Sequence, residues 1–259
     1  MLWARWRALQ WKGWINVEAH AASQAPLAAT TNVRGMFDRI AVRYDAANRV
    51  MSMGIDKRWR RAALPALLQT AGDAPCILDL GAGTMDGSIA IARRSPAARI
   101  AAADFAQQML HAGTHKLAKH ARQIGAHGAD GHRLPYRADV FDGAFSAFCV
   151  RNLVHRTVAF AELRRVLRPG ATLVILEFFR PRKRGWLRWL FDGVYNKRIL
   201  PWVGFAITGD KDAYRYLPDS IEAFATRAQV ESELKAAGFA SVTGQDLFPA
   251  GVASLVVAR

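Results

Sequence analysis

The chain has 259 residues, 51% hydrophobic and 22% charged, which suits one α/β domain with an appended terminal segment and would cramp two independent globular domains. That balance excludes a wholly disordered, collagen-like or coiled-coil chain. The 36 Lys and Arg residues against 21 Asp and Glu leave a net charge of +15, enough to attract anionic partners without choosing among nucleic acid, lipid and a charged substrate.

In chain order, residues 1–17 hold Trp3, Trp6, Trp11 and Trp14 among Arg5, Arg7 and Lys12, with no acid before Glu18. On a helix the four indoles fall within about 140° of arc, with Arg5 and Lys12 on the other side, the pattern of a helix lying on a membrane surface. The same basic, acid-free stretch also reads as a transit peptide or an unselected terminus. Residues 19–32 are small, polar and proline-containing, a linker composition.

From Val33 onward, short apolar runs alternate with helical periods, which predicts βαβ units and a parallel sheet. Strands are expected at Cys76–Leu80, Ile100–Ala103, Ala144–Cys149 and Ala171–Glu177, with weaker ones at Ala126–Ala129, Val242–Leu247 and Ser254–Ala258. Helices are expected at Gly35–Tyr44, Lys57–Leu68, Ser88–Arg93, Gln107–His120, Val158–Leu167, Trp186–Tyr195 and Val230–Ala237, the last preceded by a capping box at Thr226 and Gln229. The best candidate for a membrane span, Ile199–Gly209, is uncharged but too short for the roughly 18 to 20 residues needed and contains Pro201 and Gly204. Cys76 and Cys149 each sit in an apolar run, giving little support to a disulfide or a cysteine metal site and favouring a reducing compartment.

The densest chemical signal is Ile77-Leu78-Asp79-Leu80-Gly81-Ala82-Gly83-Thr84, a buried strand entering a glycine-rich turn before a helix. Gly81 and Gly83 allow a tight turn and a close approach to a nucleotide-like ligand. Asp86 stands where a dinucleotide fingerprint requires its third glycine, so a pyrophosphate is poorly served and a neutral or cationic ligand is preferred. Asp104 closes the second strand, where a carboxylate can accept both ribose hydroxyls or cap the next helix. Asp130 follows the third strand, within reach of an adenine amino group. Asp79, Asp104 and Asp130, with no lysine in the turn, suit the positive sulfonium of S-adenosylmethionine and suit ATP poorly.

Several separate stretches resemble the ubiquinone/menaquinone biosynthesis C-methyltransferases, a branch of the class I S-adenosylmethionine-dependent methyltransferases. They are Met36-Phe37-Asp38 with Ala41, Tyr44-Asp45 and Asn48, continuing to Ser52 and Trp59; Leu78-Asp79-Leu80 with Gly83-Thr84 and Asp86; Arg151-Asn152; Arg165-Val166-Leu167-Arg168-Pro169-Gly170 leading to Glu177; and Asp212-Ala213-Tyr214-Arg215-Tyr216-Leu217-Pro218 with Ser220-Ile221. Met85, Asp56 and Ala147 depart from the family's glycine, histidine and serine. The resemblance implies a Rossmann-like α/β fold, a mostly parallel seven-stranded sheet with helices on both faces and an antiparallel last strand. It implies S-adenosylmethionine as cofactor, contacted by Thr84, Asp104, Asp130 and Gly131 in addition to Asp79, Gly81 and Gly83 of the turn read above, and a prenylated demethylquinol as acceptor. Residues 1–32 then form an extension and residues 33–259 the catalytic domain, with a lid at 33–70 and a substrate- and membrane-facing insertion at 180–220.

Methyl transfer to a ring carbon needs mainly positioning and exclusion of water, plus stabilisation of a phenolate. Arg151 and Asn152, after the fourth strand, fit that task by charge and hydrogen bonding; arginine cannot act as the base, and it can instead pair with an acid such as Asp45. Tyr44 can orient a substrate or pack the lid. His155 can relay a proton or begin a helix in solvent. The remaining histidines, His132 among them, show no ligand spacing, and no metal is expected. Residues 180–198 carry seven basic side chains against Asp192, interleaved with Trp186, Leu187, Trp189, Leu190 and Phe191. That composition suits an anionic bilayer surface better than RNA, so a membrane partner and no nucleic acid are expected. The expected location is the cytoplasmic face of a membrane, or the mitochondrial matrix after processing; a homodimer is compatible with the sequence.

Overall fold

The computed structural model describes Trp14, residues 31–180, Trp202, residues 211–248 and residues 251–259. The interfacial-helix reading of residues 1–17, apart from Trp14, the Ile199–Gly209 stretch, apart from Trp202, and the helix expected at Trp186–Tyr195 lie outside the described residues. Trp14 itself meets Phe141 edge-on at 5.7 Å and carries the Arg99 guanidinium over its ring at 4.6 Å, so this indole packs against the protein body. Among the described residues no helix is long and apolar enough to cross a membrane.

Three helices open the described chain: α1 (Thr31–Ile40), α2 (Tyr44–Met51) and α3 (Ile55–Leu68). There follow β1 (Cys76–Leu80), α4 (Asp86–Arg94), β2 (Arg99–Asp104), α5 (Gln107–Gly113), β3 (Ile124–Gly128), β4 (Phe141–Ala147), α6 (Arg156–Val166) and β5 (Leu167–Glu177). The chain ends with α7 (Lys211–Ala223), α8 (Arg227–Ala236), β6 (Val242–Asp246) and β7 (Ser254–Ala258). The strands form one seven-stranded sheet in the order β3-β2-β1-β4-β5-β7-β6, parallel from β3 to β5, with β7 antiparallel to both neighbours.

Helices cover both faces, so the central strands are apolar on both sides, and the two-residue period divides them between two cores. Leu78, Leu173 and Ile175 face Phe160, Leu163, Val230 and Leu234 of α6 and α8. Ile77, Val174 and Leu176 face Leu64, Leu67, Ile91 and Leu110 of α3, α4 and α5. Because β2 and β3 lie on one side of β1 and β4 on the other, the strand order reverses between β1 and β4. Their carboxyl ends open there onto a crevice, the usual ligand site of such sheets.

Several boundaries differ from expectation for identifiable reasons. The helix expected at Gly35–Tyr44 is two, because the chain turns after Ile40, with Arg43 N–H donating to the Ile40 carbonyl at 3.0 Å. The turn brings Met36 and Ile40 against Ala47 and Met51 in one small cluster, joined by Tyr44, Tyr216 and Leu217. The helix expected at Gln107–His120 stops at Gly113, which passes so close to the Thr84 carbonyl that a Cβ there would lie 2.5 Å from it. Residues Thr114–Leu117 continue as a 3-10 turn. The fourth strand ends at Ala147 because Phe148 adopts φ 59, outside the extended range. The capping box is present: the Thr226 hydroxyl accepts from Gln229 N–H while the Gln229 side chain accepts from Thr226 N–H.

Candidate active site

The glycine turn after β1 is shaped by what crosses it. Gly81 adopts φ 72, and a Cβ on it would fall 2.3 Å from the Cys149 side chain, so only glycine lets this loop pass the one after β4. Asp104, at the end of β2, ties the turn in place: its Oδ2 accepts from Gly83 N–H at 2.7 Å and its Oδ1 from Ala106 N–H at 2.8 Å. Burial pushes its carboxyl up to about 6, against the opposing pull of those two backbone donors. Gly81, Gly83, Asp104, Asp130, Gly131 and Asn152 line one cleft, with about 680 Å³ of open space, together with the rings of Phe37, Tyr44, Phe105 and Phe148. Among the described residues lining it there is no Lys or Arg.

Asp130 is oriented by a neighbour that sequence reasoning passed over. Its Oδ1 accepts from both the backbone N–H of His132 at 2.9 Å and the His132 ring Nδ1 at 2.6 Å. Burial would raise the Asp130 carboxyl, but these contacts outweigh it and hold the group below the usual carboxylate range. The Nε2 of His132 accepts from His155 N–H at 3.1 Å, which assigns the remaining ring proton to Nδ1. The sequence signal was the Asp-x-His spacing directly after a strand, which permits this local ring closure.

Two expected cofactor residues stand behind the cleft rather than along it. Asp79 is buried, and its Oδ2 accepts from the Ser88 hydroxyl at 2.5 Å; burial raises its carboxyl to about 6. Thr84 donates its hydroxyl to Asp45 Oδ1 at 2.5 Å, linking the turn to α2. Lys116 completes that link by bridging Asp45 at 2.6 Å and Asp86 at 2.8 Å. The segment α1–α2 is therefore fastened over the crevice by residues from three elements.

A second cavity adjoins the first, with about 690 Å³ of open space, and shares Tyr44 and Phe148 with it. Met51, Trp59, Phe178, Leu217, Ile221 and Val252 make it largely apolar, and Asn48, Ser52, Asp56, Arg60 and Arg151 supply polar groups. Arg151 lines this cavity and not the cleft. Its alternative as a partner of Asp45 is corrected by the structure: Nη1 donates to Glu177 Oε1 at 2.8 Å and to the Phe148 carbonyl at 2.7 Å, and Nε to the Ser220 hydroxyl at 3.3 Å. The Arg151 side chain is 6% exposed and that of Glu177 0%, so the pair is buried. Among the described residues Nη2 has no hydrogen-bond partner, leaving donors at the cavity wall. Glu177 was quoted in a motif without a role; a lone acid ending an otherwise apolar strand signals a buried partner.

Asn152 lines the cleft, and its Oδ1 accepts from the Tyr216 hydroxyl at 2.9 Å, which leaves its amide N–H groups to donate elsewhere. Burial raises the Tyr44 hydroxyl above its ordinary range, with Asn48 and Arg151 pulling the other way. His155 is exposed at the start of α6, outside both cavities, its ring 6.0 Å from that of His132. Among the described residues no group of three or more His, Cys, Asp or Glu could hold a metal ion.

A mixed sheet with only its last strand reversed, carrying a glycine turn and a strand-end carboxylate at the switch point, defines a Rossmann-like protein of the methyltransferase type. Solved structures of the same fold include a SAM-dependent methyltransferase from Aquifex aeolicus, at TM-score 0.52 and 16% identity over 78% of this chain and 97% of that one. They also include the [4+2]-cyclase SpnF, at TM-score 0.57 and 17% identity over 78% of this chain and 80% of that one. At such identities the likeness is one of fold alone, and the cyclase shows that the fold serves more than one reaction.

The chain belongs to the ubiE/COQ5 methyltransferase family, whose model matches residues 26–258, and it is a methyltransferase. It is 40% identical over 219 residues, 83% of this chain and 89% of the relative, to the ubiquinone/menaquinone biosynthesis C-methyltransferase UbiE of Syntrophotalea carbinolica. It is also 40% identical over 222 residues, 86% of this chain and 98% of the relative, to the demethylmenaquinone methyltransferase of Thermus thermophilus.

Proposed function

We propose that the chain transfers a methyl group from S-adenosylmethionine to a ring carbon of a prenylated demethylquinol, with demethylmenaquinol the acceptor to test first. The observation that carries this reading is the pair of adjoining cavities. One is a cleft with acidic and aromatic walls and, among the described residues, no lining Lys or Arg; the other is a largely apolar cavity holding Arg151; they meet at Tyr44 and Phe148. The names of the two relatives support the quinol acceptor.

The cleft fits the cofactor on its own chemistry. A wall with Asp104, Asp130 and several aromatic faces, and no Lys or Arg among its described residues, favours a positively charged ligand over a pyrophosphate. Asp104 retains lone pairs for ribose hydroxyls beyond its two backbone donors, and Asp130, held by His132, is positioned for an adenine amino group. Gly81, Gly83 and Gly131 leave room for close approach, while Asp79 and Thr84 stiffen the turn from behind. When bound, the cofactor supplies an electrophilic methyl group on a positively charged sulfur.

The protein's own part is positional and electrostatic. Arg151, fixed by Glu177, offers its Nη2 donors to a phenolate oxygen, which favours the ionised acceptor whose neighbouring ring carbon is the nucleophile; the phenolic proton, and the ring proton that the methyl group replaces, leave to water. Asn152 donates from the cleft side, and Tyr44, at the junction, aligns acceptor with donor. The apolar walls exclude water from the junction. The acceptor's long tail implies work at a membrane surface, for which residues 1–17 and 180–198 were the expected contacts, without nucleic acid as a partner; dimerisation remains compatible with this reading. The test is turnover with a short-tailed demethylmenaquinol, followed by mass spectrometry: a product heavier by one methyl on ring carbon is expected. Binding of the cofactor with no methylated product from benzoquinol or naphthoquinol acceptors would overturn the reading and favour a binding scaffold.

A further inference from the structure

A third cavity is unlike the other two. It lies between α3 and α4, with about 1290 Å³ of open space, and is lined by Arg49, Lys57, Arg60, Arg61, Arg93, Arg94 and Lys116, with Asp86 the single acid among the described lining residues. Part of this charge is neutralised locally. Arg60 pairs with Asp56, Lys116 with Asp45 and Asp86, and Arg49 lies 3.8 Å from Asp86. Lys57, Arg61, Arg93 and Arg94 are exposed and make no ion pair or side-chain hydrogen bond among the described residues. Two helices that serve the core with their inner faces therefore direct four uncompensated cations into one hollow, where like charges repel unless an anion fills it.

Exposed apolar side chains stand close in the chain to two of the lining residues. Val50 follows Arg49 at the end of α2 and is 54% exposed, and Met53, in the turn leading into α3 and Lys57, is 72% exposed. The same helix α2 buries Ala47 and Met51. The same stretch borders the acceptor cavity: Met51 and Ser52 line it, and Arg60 lines both it and the basic hollow.

We propose that this face, the basic hollow of Lys57, Arg61, Arg93 and Arg94 with the exposed Val50 and Met53 beside its lining residues in the chain, is a docking surface for the headgroups of an anionic phospholipid bilayer. Phosphates sit among the cations, and the exposed apolar side chains enter the acyl boundary, the combination by which surface-bound proteins hold a membrane. The commitment to lipid over a soluble phosphate or a nucleic acid comes from those exposed apolar side chains, which neither of the others would cover, and from the continuity with the acceptor cavity. The surface would set the cavity beside the bilayer, so that a prenylated acceptor exposes little of its tail to water. The purpose, though not the binding, rests on the quinol reading above.

The experiment is cosedimentation of the full chain with phosphatidylcholine vesicles and with vesicles that also contain phosphatidylglycerol. Each Lys or Arg at an anionic surface strengthens binding about fivefold, so Arg93→Gln/Arg94→Gln should weaken partition to the anionic vesicles about 25-fold. Arg93→Lys/Arg94→Lys should restore most of it, and Val50→Ser/Met53→Ser should lower it by about tenfold or more through lost apolar burial. Turnover of a short-tailed quinol should stay within about twofold of the parent, since these side chains touch neither cavity of the reaction. Unchanged partition of the Gln variant would overturn the proposal. So would release by inorganic phosphate beyond that of chloride at equal ionic strength, which identifies a soluble phosphate site, or retention of duplex DNA in preference to vesicles. Vesicle binding lost with short-tailed turnover kept supports this surface; vesicle binding kept with no turnover on any quinol would sink the catalytic reading and leave the surface standing.

Discussion

Replacing Arg151 by methionine separates what this side chain does for the fold from what it does for the reaction. Arg151→Met keeps an apolar stem but removes the partner of Glu177, whose side chain is 0% exposed, stranding a carboxylate that then accepts only from the backbone N–H groups of Arg151 and Phe178. Breaking a buried ion pair from one side costs about 3–5 kcal/mol, a large share of the roughly 5–15 kcal/mol that holds a domain together. At about 2–4 °C per kcal/mol, the single variant should melt about 6–20 °C lower. Adding Glu177→Gln removes the stranded charge while keeping an acceptor for both backbone donors, so the double variant should recover more than half of that loss. Turnover should not recover: both variants lose the phenolate donor, at a cost of about 100-fold or more in kcat. Differential scanning calorimetry and methyl-transfer assays on the two variants read the two effects separately. If the double variant melts no higher than the single one, the buried-charge argument fails; if Arg151→Met turns over normally, the catalytic assignment fails.

Asp104 should make cofactor affinity pH-dependent. Its carboxyl titrates near 6, so affinity measured calorimetrically should fall as pH drops through about 6, by up to tenfold per unit, because the protonated acid accepts hydroxyl hydrogens poorly. Asp79 and Asp104 are both raised above their unfolded values, so the native state holds protons more tightly; apo-protein stability should decline as pH rises from about 4 to about 6 and then level off. Met85 is fully buried at φ 67, so Met85→Gly relieves about 1 kcal/mol of left-handed strain but forfeits more in burial; a net loss of about 1–3 kcal/mol in urea unfolding is expected. His132→Ala should weaken cofactor binding about tenfold by releasing Asp130, with the acceptor KM little changed.

The strands and the glycine turn were legible because their signals are local: buried runs such as Ile77–Leu80, followed by two glycines and a carboxylate one βα unit later, admit few other readings. The lid was less so. Helix periodicity runs across Ile40 to Tyr44 without a glycine or proline, and only the packing of Met36 and Ile40 on Ala47 and Met51 demands the turn there. The partners inside the site were hardest, since Arg151 finds Glu177 26 positions away and Asp45 finds Lys116 71 positions away, pairings that topology creates and spacing does not encode. Thr84 and Asp79, read as ligands from their motif, also hydrogen-bond to Asp45 and Ser88, contacts that the motif's spacing does not encode.

The central claim is that the cleft between β1 and β4 receives S-adenosylmethionine. Isothermal titration of the full chain with S-adenosylmethionine and with S-adenosylhomocysteine, repeated on Asp104→Ala, tests it most directly. The account predicts saturable binding of one molecule per chain, weakened at least tenfold in the variant while its melting transition persists. Absence of heat with either ligand on a folded parent protein, or equal affinity in the variant, would contradict it.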